Sequence, residues 1–566
     1  MGAPRLWAPQ AEHVELVVGD TAAACERDGE HWRAPYEPEP GTPYRFRVDG
    51  VEIPDPRSIA QPDGVHGPSE RVARPRPGVD GPDGVLDRAV IYELHVGTFS
   101  EAGTFLGVTE HLDHLVTLGV THVELMPVAA FDGRVGWGYD GVAPFATHPD
   151  YGTASDLAHL VDECHRRGLQ VLLDVVFNHL GPSGNHLGVS GPYFTDRYRT
   201  PWGDAVNLDG PWSDGVRRYF CDAALFWLDE VGLDGLRLDA VHALFDNSAY
   251  TFLEQLADEV RAMSARHGRR RLLIAESDRG DPRIVVGSPV GPGLDAVWSD
   301  DLHHTLHVAL TGERSGYYSD VGPGDLELAL TVAQTHQGRY SPHRRRHVGR
   351  NVSGTLSSSF VVSLQNHDQI GNRAGGERIH HLVGVDRSAA AAALVLLSPF
   401  SVLIFQGEEW AASTPFPYFA DHAGELGEAV RRGRTAEFAA FGWAEDEVAD
   451  PQDPATSGSA QLDWTEISHC EHAEVLSWYR SLIELRRTHP ALSAVPVPAA
   501  DQHCERIGDV VRVDRGQLTV LCNLGPVTAE RITAPAGDEV LVRGEVRASH
   551  GTMELGPGSV MVLDRR

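Results

Sequence analysis

The sequence predicts a multidomain chain: a central (β/α)8 TIM barrel flanked by an N-terminal β-sandwich and a C-terminal antiparallel β domain. Three observations predict it. Eight short apolar runs alternate with helical segments through the middle of the chain, as the strands of a parallel barrel do. The residues before and after them show short alternating runs broken by Pro, Gly and Asp, the pattern of antiparallel β domains. The 566 residues exceed the ~250 typical of one barrel, which leaves room for flanking domains and long loops.

Residues 1–85 read as the sandwich, with Val14-Glu15-Leu16-Val17-Val18 and Tyr44-Arg45-Phe46-Arg47-Val48 as alternating strands. The Pro-, Gly- and Asp-rich stretch Arg74–Gly84 reads as a linker. The barrel takes residues 86–495. Its strands are expected at Val90–Val96, His122–Val128, Val171–Phe177, Gly235–Ala240, Leu272–Ser277, Ala296–Asp300, Phe360–Gln365 and Val402–Gln406. Between them, Ala154–Arg167 places Leu157, Leu160, Val161 and Cys164 on one helical face, with Gly168 as its stop. Asp214–Val231 does the same with Val216, Tyr219, Phe220, Ala223, Ala224 and Trp227, and stops at Gly232. The connections 178–212 and 300–357 are longer than helices need, and long barrel loops carry function. Residues 496–566 form the second β domain, with Val510-Val511-Arg512-Val513 and Leu518-Thr519-Val520-Leu521 as strands.

Composition narrows the chemistry. The formal charge is −32, so a nucleic acid is not an expected partner, because phosphates need a basic face. A neutral, hydroxyl-rich ligand is compatible with this charge. The sequence contains no lysine, and all 48 basic residues are arginine. That excludes Schiff-base chemistry, the P-loop lysine and the kinase lysine. The six cysteines are scattered without a CxxC pair, and the N-terminus lacks a charged then apolar leader, so a reducing cytoplasmic setting is expected. The most apolar stretch, Ala389–Phe405, is interrupted by Ser398-Pro399 and reads as core; no membrane partner is expected.

In such a barrel, function sits at the C-terminal ends of the strands. The third strand leads into Asp174-Val175-Val176-Phe177-Asn178-His179, and the fourth is Gly235-Leu236-Arg237-Leu238-Asp239 followed by Ala240-Val241-His242. The fifth leads into Ile274-Ala275-Glu276-Ser277 and the seventh into Gln365-Asn366-His367-Asp368-Gln369. Three carboxylates, Asp239, Glu276 and Asp368, therefore converge on one mouth. With a period of two, Arg237 and Asp239 face the lumen while Leu236 and Leu238 face the helices. Arg237 favours an ionised Asp239, suited to be a nucleophile. Glu276, at the margin of the apolar run Leu272–Ala275, is expected to have a raised pKa and to act as general acid. One ionised and one protonated carboxyl is what glycoside hydrolysis requires, and Asp368 is placed to stabilise positive charge on the sugar ring. His179 and His367 could donate to sugar hydroxyls, and Tyr139, within Gly136-Trp137-Gly138-Tyr139-Asp140, could stack on a sugar face. Competing chemistries lack their motifs. HExxH and GxSxG are absent, no GxGxxG follows a strand, and His469-Cys470-Glu471-His472 reads as a solvated helix start.

DVVFNH (174–179), GLRLDAVH (235–242), IAES (274–277) and QNHD (365–368) resemble, in order and spacing, the signature regions of the α-amylase superfamily, glycoside hydrolase family 13. The resemblance implies retaining chemistry, with Asp239 as nucleophile, Glu276 as acid/base and Asp368 as transition-state stabiliser. It also implies that Arg237, His179 and His367 line the −1 sugar subsite, that Tyr139 stacks there, and that the N-terminal sandwich is of the E-set, carbohydrate-binding-like type. Residues 124–142, 298–307, 334–342, 365–378 and 406–422 further resemble the maltooligosyl trehalose trehalohydrolases. That family cleaves the α-1,4 bond next to a terminal trehalose and releases trehalose. Its substrate, maltooligosyl trehalose, is made by maltooligosyl trehalose synthase. This finer resemblance implies substrate contacts along Arg237–His242, Asp300–His304 and His367–Asn372. His242, Asp300, Asp301, His303, His304, Gln369, Asn372 and the adjacent Arg373 thereby become candidate substrate-binding residues. The acidic pair Asp300-Asp301 is equally a helix N-terminus, where Asp is favoured. Val241 stands where many α-amylases carry a lysine, which argues against a plain α-amylase. No metal or other cofactor is expected, since Asn178 alone does not make a calcium site of six to eight oxygens. Two other functions share these features: a glycogen branching enzyme, and a catalytically silent glucan-binding protein.

Overall fold

The computed structural model describes residues 2–439, 443 and 448–565. Eight parallel strands close into a barrel in chain order: β1 (Val90–Leu94), β2 (His122–Leu125), β3 (Gln170–Val175), β4 (Gly235–Leu238), β5 (Leu272–Ala275), β6 (Ala296–Trp298), β7 (Phe360–Ser363) and β8 (Ser401–Phe405), with β8 pairing back onto β1. All eight expected strands are present, and each ends somewhat before its apolar run does. The residues just beyond still lean on the ladder. Asp239 N–H donates to Val175 O at 3.1 Å and Glu276 N–H to Leu238 O at 2.9 Å. The last rungs thus anchor the two acids at the mouth.

The pleat sorts the strand residues by parity. Leu236, Leu238, Leu273 and Val362 join the layer packed against the helices, whereas Leu172, Leu272, Ile274 and Trp298 fill the lumen. Gly235 has the lumen parity of Arg237, and a Cβ there would meet the Leu272 carbonyl oxygen at 2.7 Å and Leu172 at 2.8 Å. Its bare backbone lets strands β3 and β5 close in around β4.

The outer helices follow the expected faces. Helix Ala154–Arg166 opens with a capping box between Thr153 and Asp156 and buries Leu157, Leu160, Val161 and Cys164. Helix Ser213–Leu225 continues as a wider π turn, Phe226–Val231, and stops at Gly232 with φ 93°. The wider turn lets Phe226, Trp227, Leu228 and Val231 all be buried, which the ordinary 3.6-residue period does not allow on one face. Ala389–Phe405 is indeed helix, turn and strand in the core. Among the described residues no helix is long and apolar enough to cross a membrane.

Antiparallel sheets lie on either side of the barrel in sequence. Near the N-terminus, strands Val14–Val18, Thr21–Ala24, Pro43–Val48 and Val51–Ile53 form one sheet, and Arg5–Trp7, Glu26–Asp28 and His31–Arg33 another. Leu16, Trp32 and Phe46 belong to the core they share. Arg57 ties this region to the barrel through Asp222 at 2.8 Å. Near the C-terminus, Gln502–Ile507, Val510–Arg515, Leu518–Asn523, Val560–Asp564 and Asp538–Arg543 form a five-stranded sheet. Arg515 reaches back to the carbonyls of Leu397 and Leu330 at 2.8 and 2.9 Å.

Candidate active site

The site is built around one guanidinium. Arg237 is fully buried, its Cζ lies 4.3 Å over the Trp298 ring, and it faces three carboxylates. Nη1 donates to both oxygens of Asp174, at 2.9 and 2.8 Å, and to Asp239 Oδ1 at 2.8 Å. Nη2 lies 3.1 Å from Glu276 Oε2. Asn178 Nδ2 donates to Asp239 Oδ2 at 3.0 Å. The residue after Asp239, Ala240, is left-handed with φ 38°, a strained conformation for a non-glycine residue. That conformation turns its N–H onto Glu276 Oε2 at 2.7 Å. Glu276 therefore sits in a polar setting, not at the apolar margin that Leu272–Ala275 suggested.

Asp368 approaches from the opposite wall, on the short helix His367–Gly371 that Asn366 caps. The side chains of Asp239, Glu276 and Asp368 are 10%, 21% and 42% exposed, so the three acids form a graded rim around an open mouth. Burial raises the Asp368 carboxyl above its ordinary range against the pull of His367. His367 lies 3.5 Å from Asp368 Oδ1 through Nε2 and 2.5 Å from Glu93 Oε1 through Nδ1. Tyr139 stacks on the His367 ring at 5.3 Å and 24°, and donates its hydroxyl to Asp174 Oδ2 at 2.6 Å. His179 bonds Asn178 Oδ1 and the Tyr139 carbonyl, and its ring stacks on Trp202 at 4.3 Å and 6°.

The stretch 300–304 divides. Asp300 accepts from Gln369 Nε2 at 3.0 Å, and burial followed by repulsion from Glu276 and Asp368 pushes its carboxyl up to about 7. It shares a cleft with Trp298, His304, Tyr317 and Ser277. Asp301 lines the same cleft and, like His303, is also hydrogen-bonded to the protein. Asp301 Oδ2 accepts from the Thr335 N–H and hydroxyl at 2.5 and 2.9 Å, and although burial opposes its charge, the His336 side chain and Thr335 hold it well below the usual carboxylate range. His303 is buried between the Leu364 carbonyl and the Tyr318 hydroxyl. His242 stands at the edge, 3.8 Å from Asp278 and beside a neighbouring cavity that it shares with Arg279 and Phe252. Asn372 is engaged by Arg434 at 2.9 Å, and Arg373 by Glu313 at 2.9 and 3.1 Å. Asp301, His303, Asn372 and Arg373 are thus held by protein partners, and Asp301 also lines the cleft of Asp300 and His304.

The structure adds residues that sequence reasoning missed. Asp174 and Asn178 lay inside a quoted motif without a role. Asp174 is the Cα partner of Arg237 in the β3–β4 register, and burial pushes its carboxyl up to about 7 despite that cation. Trp298 lies beneath Arg237. Trp202, 49% exposed on a hairpin of the long loop after β3, presents an aromatic face above His179.

Residues 81–195 match the family model described as the alpha amylase catalytic domain. A malto-oligosyltrehalose trehalohydrolase from Arthrobacter ramosus is 48% identical over 98% of this chain and 98% of its own. The chain belongs to the malto-oligosyltrehalose trehalohydrolase family. A trehalohydrolase from Mycobacterium tuberculosis (strain CDC 1551 / Oshkosh) is 43% identical over 96% of this chain and 95% of its own. Among solved structures, a provisionally named alpha amylase from Salmonella typhimurium superposes with a TM-score of 0.89 at 36% identity, covering 99% of this chain and 97% of its own. A 1,4-alpha-glucan branching enzyme from Albidiferax ferrireducens aligns at 34% identity over only 26% of this trehalohydrolase-family chain.

Proposed function

We propose that the chain is a retaining glycoside hydrolase that cleaves the α-1,4-glucosidic bond next to the terminal trehalose of maltooligosyl trehalose and releases trehalose. The observation that carries this reading is Arg237 reaching Asp239 and Glu276 with the two nitrogens of one guanidinium, with Asp368 close enough for the charges of Glu276 and Arg237 to act on it. In the first step the Asp239 carboxylate attacks the anomeric carbon of the −1 glucosyl unit, and Glu276 protonates the departing oxygen of trehalose. A covalent glycosyl–enzyme forms as the C–O bond to trehalose breaks. In the second step Glu276, now a carboxylate, takes a proton from water, which attacks the same carbon and frees Asp239. Asp368 stabilises the oxocarbenium-like ring in both steps, and His367 lines the −1 position beside it. Tyr139 and His179 shape the wall of the −1 position, and the cleft of Asp300, His304 and Tyr317 receives the leaving disaccharide.

The trehalohydrolase relatives, aligned from end to end, support this substrate over a branching reaction, whose relative aligns over a quarter of the chain. A silent glucan-binding protein has no need of the acid/base residue that Ala240 and Arg237 hold here. The six free cysteines support a reducing, cytoplasmic setting. Incubation with maltotriosyl trehalose and, separately, with amylose tests the reading. Free trehalose from the first is the expected result. New α-1,6 branches in amylose would assign the branching reaction, and no turnover of either would assign the binding protein.

A further inference from the structure

Below the three acids the lumen holds a second polar layer with no part in the steps above. Glu93 on β1 and Glu124 on β2 are Cα partners, and both are 1% exposed. Glu93 grips His367 twice: Oε1 lies 2.5 Å from Nδ1, and Oε2 accepts the His367 backbone N–H at 3.1 Å. On its other side the ring presents Nε2 to Tyr139 Oη at 2.8 Å and to Asp368 Oδ1 at 3.5 Å.

Counting protons decides the state of this ring. Nδ1 faces a carboxylate oxygen, so it carries a hydrogen. The Tyr139 hydroxyl has one proton, directed at Asp174 Oδ2 at 2.6 Å. Burial pushes Asp174 up only to about 7, so at about pH 8 it is ionised and both its oxygens, which face Arg237, accept. Tyr139 must therefore accept from Nε2, which needs a hydrogen as well. A neutral imidazole has only one N–H.

We propose that Glu93 is a positioning residue for the reaction: it holds His367 as an imidazolium whose Nε2–H is aimed at Tyr139 and at the Asp368 carboxylate. This rests on the hydrolase reading of the site. The groups facing the ring from each wall agree with it. Glu93 and His95 come from β1 and its end, Glu124 from β2, Tyr139 from the loop after β2, Asp174 from β3, Arg237 from β4 and Asp368 from the ring's own helix. Burial disfavours the charge on His367, yet Glu93 and then Asp368 raise it to about 9. Burial lowers His95 to about 4, leaving it neutral, and burial with Glu93 and Asp174 nearby drives Glu124 well above the usual carboxylate range. Glu93 is thus the anion that meets the ring directly from below.

The test uses the full chain labelled with 15N-histidine, with the His367 signal assigned by its loss in His367→Asn. Wild type is expected to show both ring nitrogens of His367 protonated at about pH 8. Glu93→Gln keeps an acceptor oxygen but removes the charge, and should leave His367 neutral at that pH. Its kcat on maltotriosyl trehalose should fall about tenfold or more at about pH 8, with KM little changed, and recover toward wild type at about pH 5.5. Glu93→Asp should restore part of the loss. A neutral His367 in wild type at about pH 8, read without any variant, would overturn the proposal. So would a Glu93→Gln enzyme with the same fractional loss at every pH. A wild type inactive on this substrate would overturn the reaction assignment and the proposal together, whereas an active wild type with either of the other results overturns the role of Glu93 alone.

Discussion

Asp239→Asn keeps the shape of the proposed nucleophile and removes its charge. Both oxygens of Asp239 accept from fixed donors, Oδ1 from Arg237 Nη1 at 2.8 Å and Oδ2 from Asn178 Nδ2 at 3.0 Å. An asparagine must set its NH2 against one of them, so one hydrogen bond is lost whichever way the amide lies. A buried donor left unpaired costs about 1–3 kcal/mol. Against this, repulsion between Asp239 and Asp174, which share Arg237 Nη1, disappears. The net loss of stability should be about 1–2 kcal/mol, small enough to leave the chain folded. The catalytic loss is far larger, because an amide cannot form the glycosyl–enzyme. Turnover should fall by roughly 10⁴–10⁶-fold, about 5–8 kcal/mol of barrier. The assay is release of trehalose from maltotriosyl trehalose, with thermal unfolding followed on the same preparation. A folded variant that keeps more than about one per cent of wild-type turnover refutes the nucleophile. A variant that is inactive only because it has unfolded refutes the energetic reasoning.

Three other outcomes follow from the same geometry. A double displacement at one carbon retains configuration, so NMR of a fresh reaction should show the new reducing end first as its α-anomer; a β-anomer would assign a single displacement. Trp202→Ala removes the half-exposed ring stacked on His179, and should lower kcat/KM by about 5- to 20-fold with little change in melting temperature; unchanged kinetics would remove Trp202 from the site. Glu313 is held down to about 2, from an ordinary 4.5, chiefly by His307 and then Arg373. A depressed carboxylate contributes stability above about pH 4.5 that is lost as pH falls toward about 2, so Glu313→Gln should flatten the acid-unfolding curve across that window; an unaltered curve would refute it.

How far the sequence could be read depended on the kind of order each residue obeys. Barrel strands are covered on both faces, so they stand out as unbroken apolar runs such as Val90–Leu94 and Phe360–Ser363. The period of two then assigned Arg237 to the lumen without any structure. For Asp301 and His303 the expectation came from resemblance to a contiguous stretch, not from a strand period. They lie on helix Asp301–Thr311, where successive side chains turn by ~100°, so a contiguous stretch cannot point every residue at one ligand. Asp300 and Asp301 both line the cleft, Asp301 with its carboxylate held by Thr335. The ion pair of Arg373 was not legible, since its partner Glu313 is brought to it by the tertiary fold alone. Asp174 needed the β3–β4 register, and Trp202 sits on a hairpin whose position no periodicity in 178–212 announces.

The proposed division of labour between two chemically similar acids follows from how one cation is shared. Arg237 Nη1 makes aligned hydrogen bonds to Asp174 and Asp239, whereas Nη2 lies 3.1 Å from Glu276 without an aligned hydrogen bond. Asp239 therefore owns a charge-assisted bond that Glu276 lacks, which suits the first to attack and the second to exchange a proton. A lysine could not make this distinction, because an ammonium is a point charge without a planar fork. Within the lumen, among the described residues, Glu93, Glu124, Asp174, Asp239, Glu276 and Asp368 face Arg237 and His367 as cations. Six carboxyl groups around two cations in a low-dielectric barrel cannot all be ionised. Protons must stay among them near neutrality, and Glu124, driven well above the usual carboxylate range by burial beside Glu93 and Asp174, is the group placed to keep one. The fold thus supplies a proton-retaining floor beneath the proposed general acid, in a chain whose overall charge is −32.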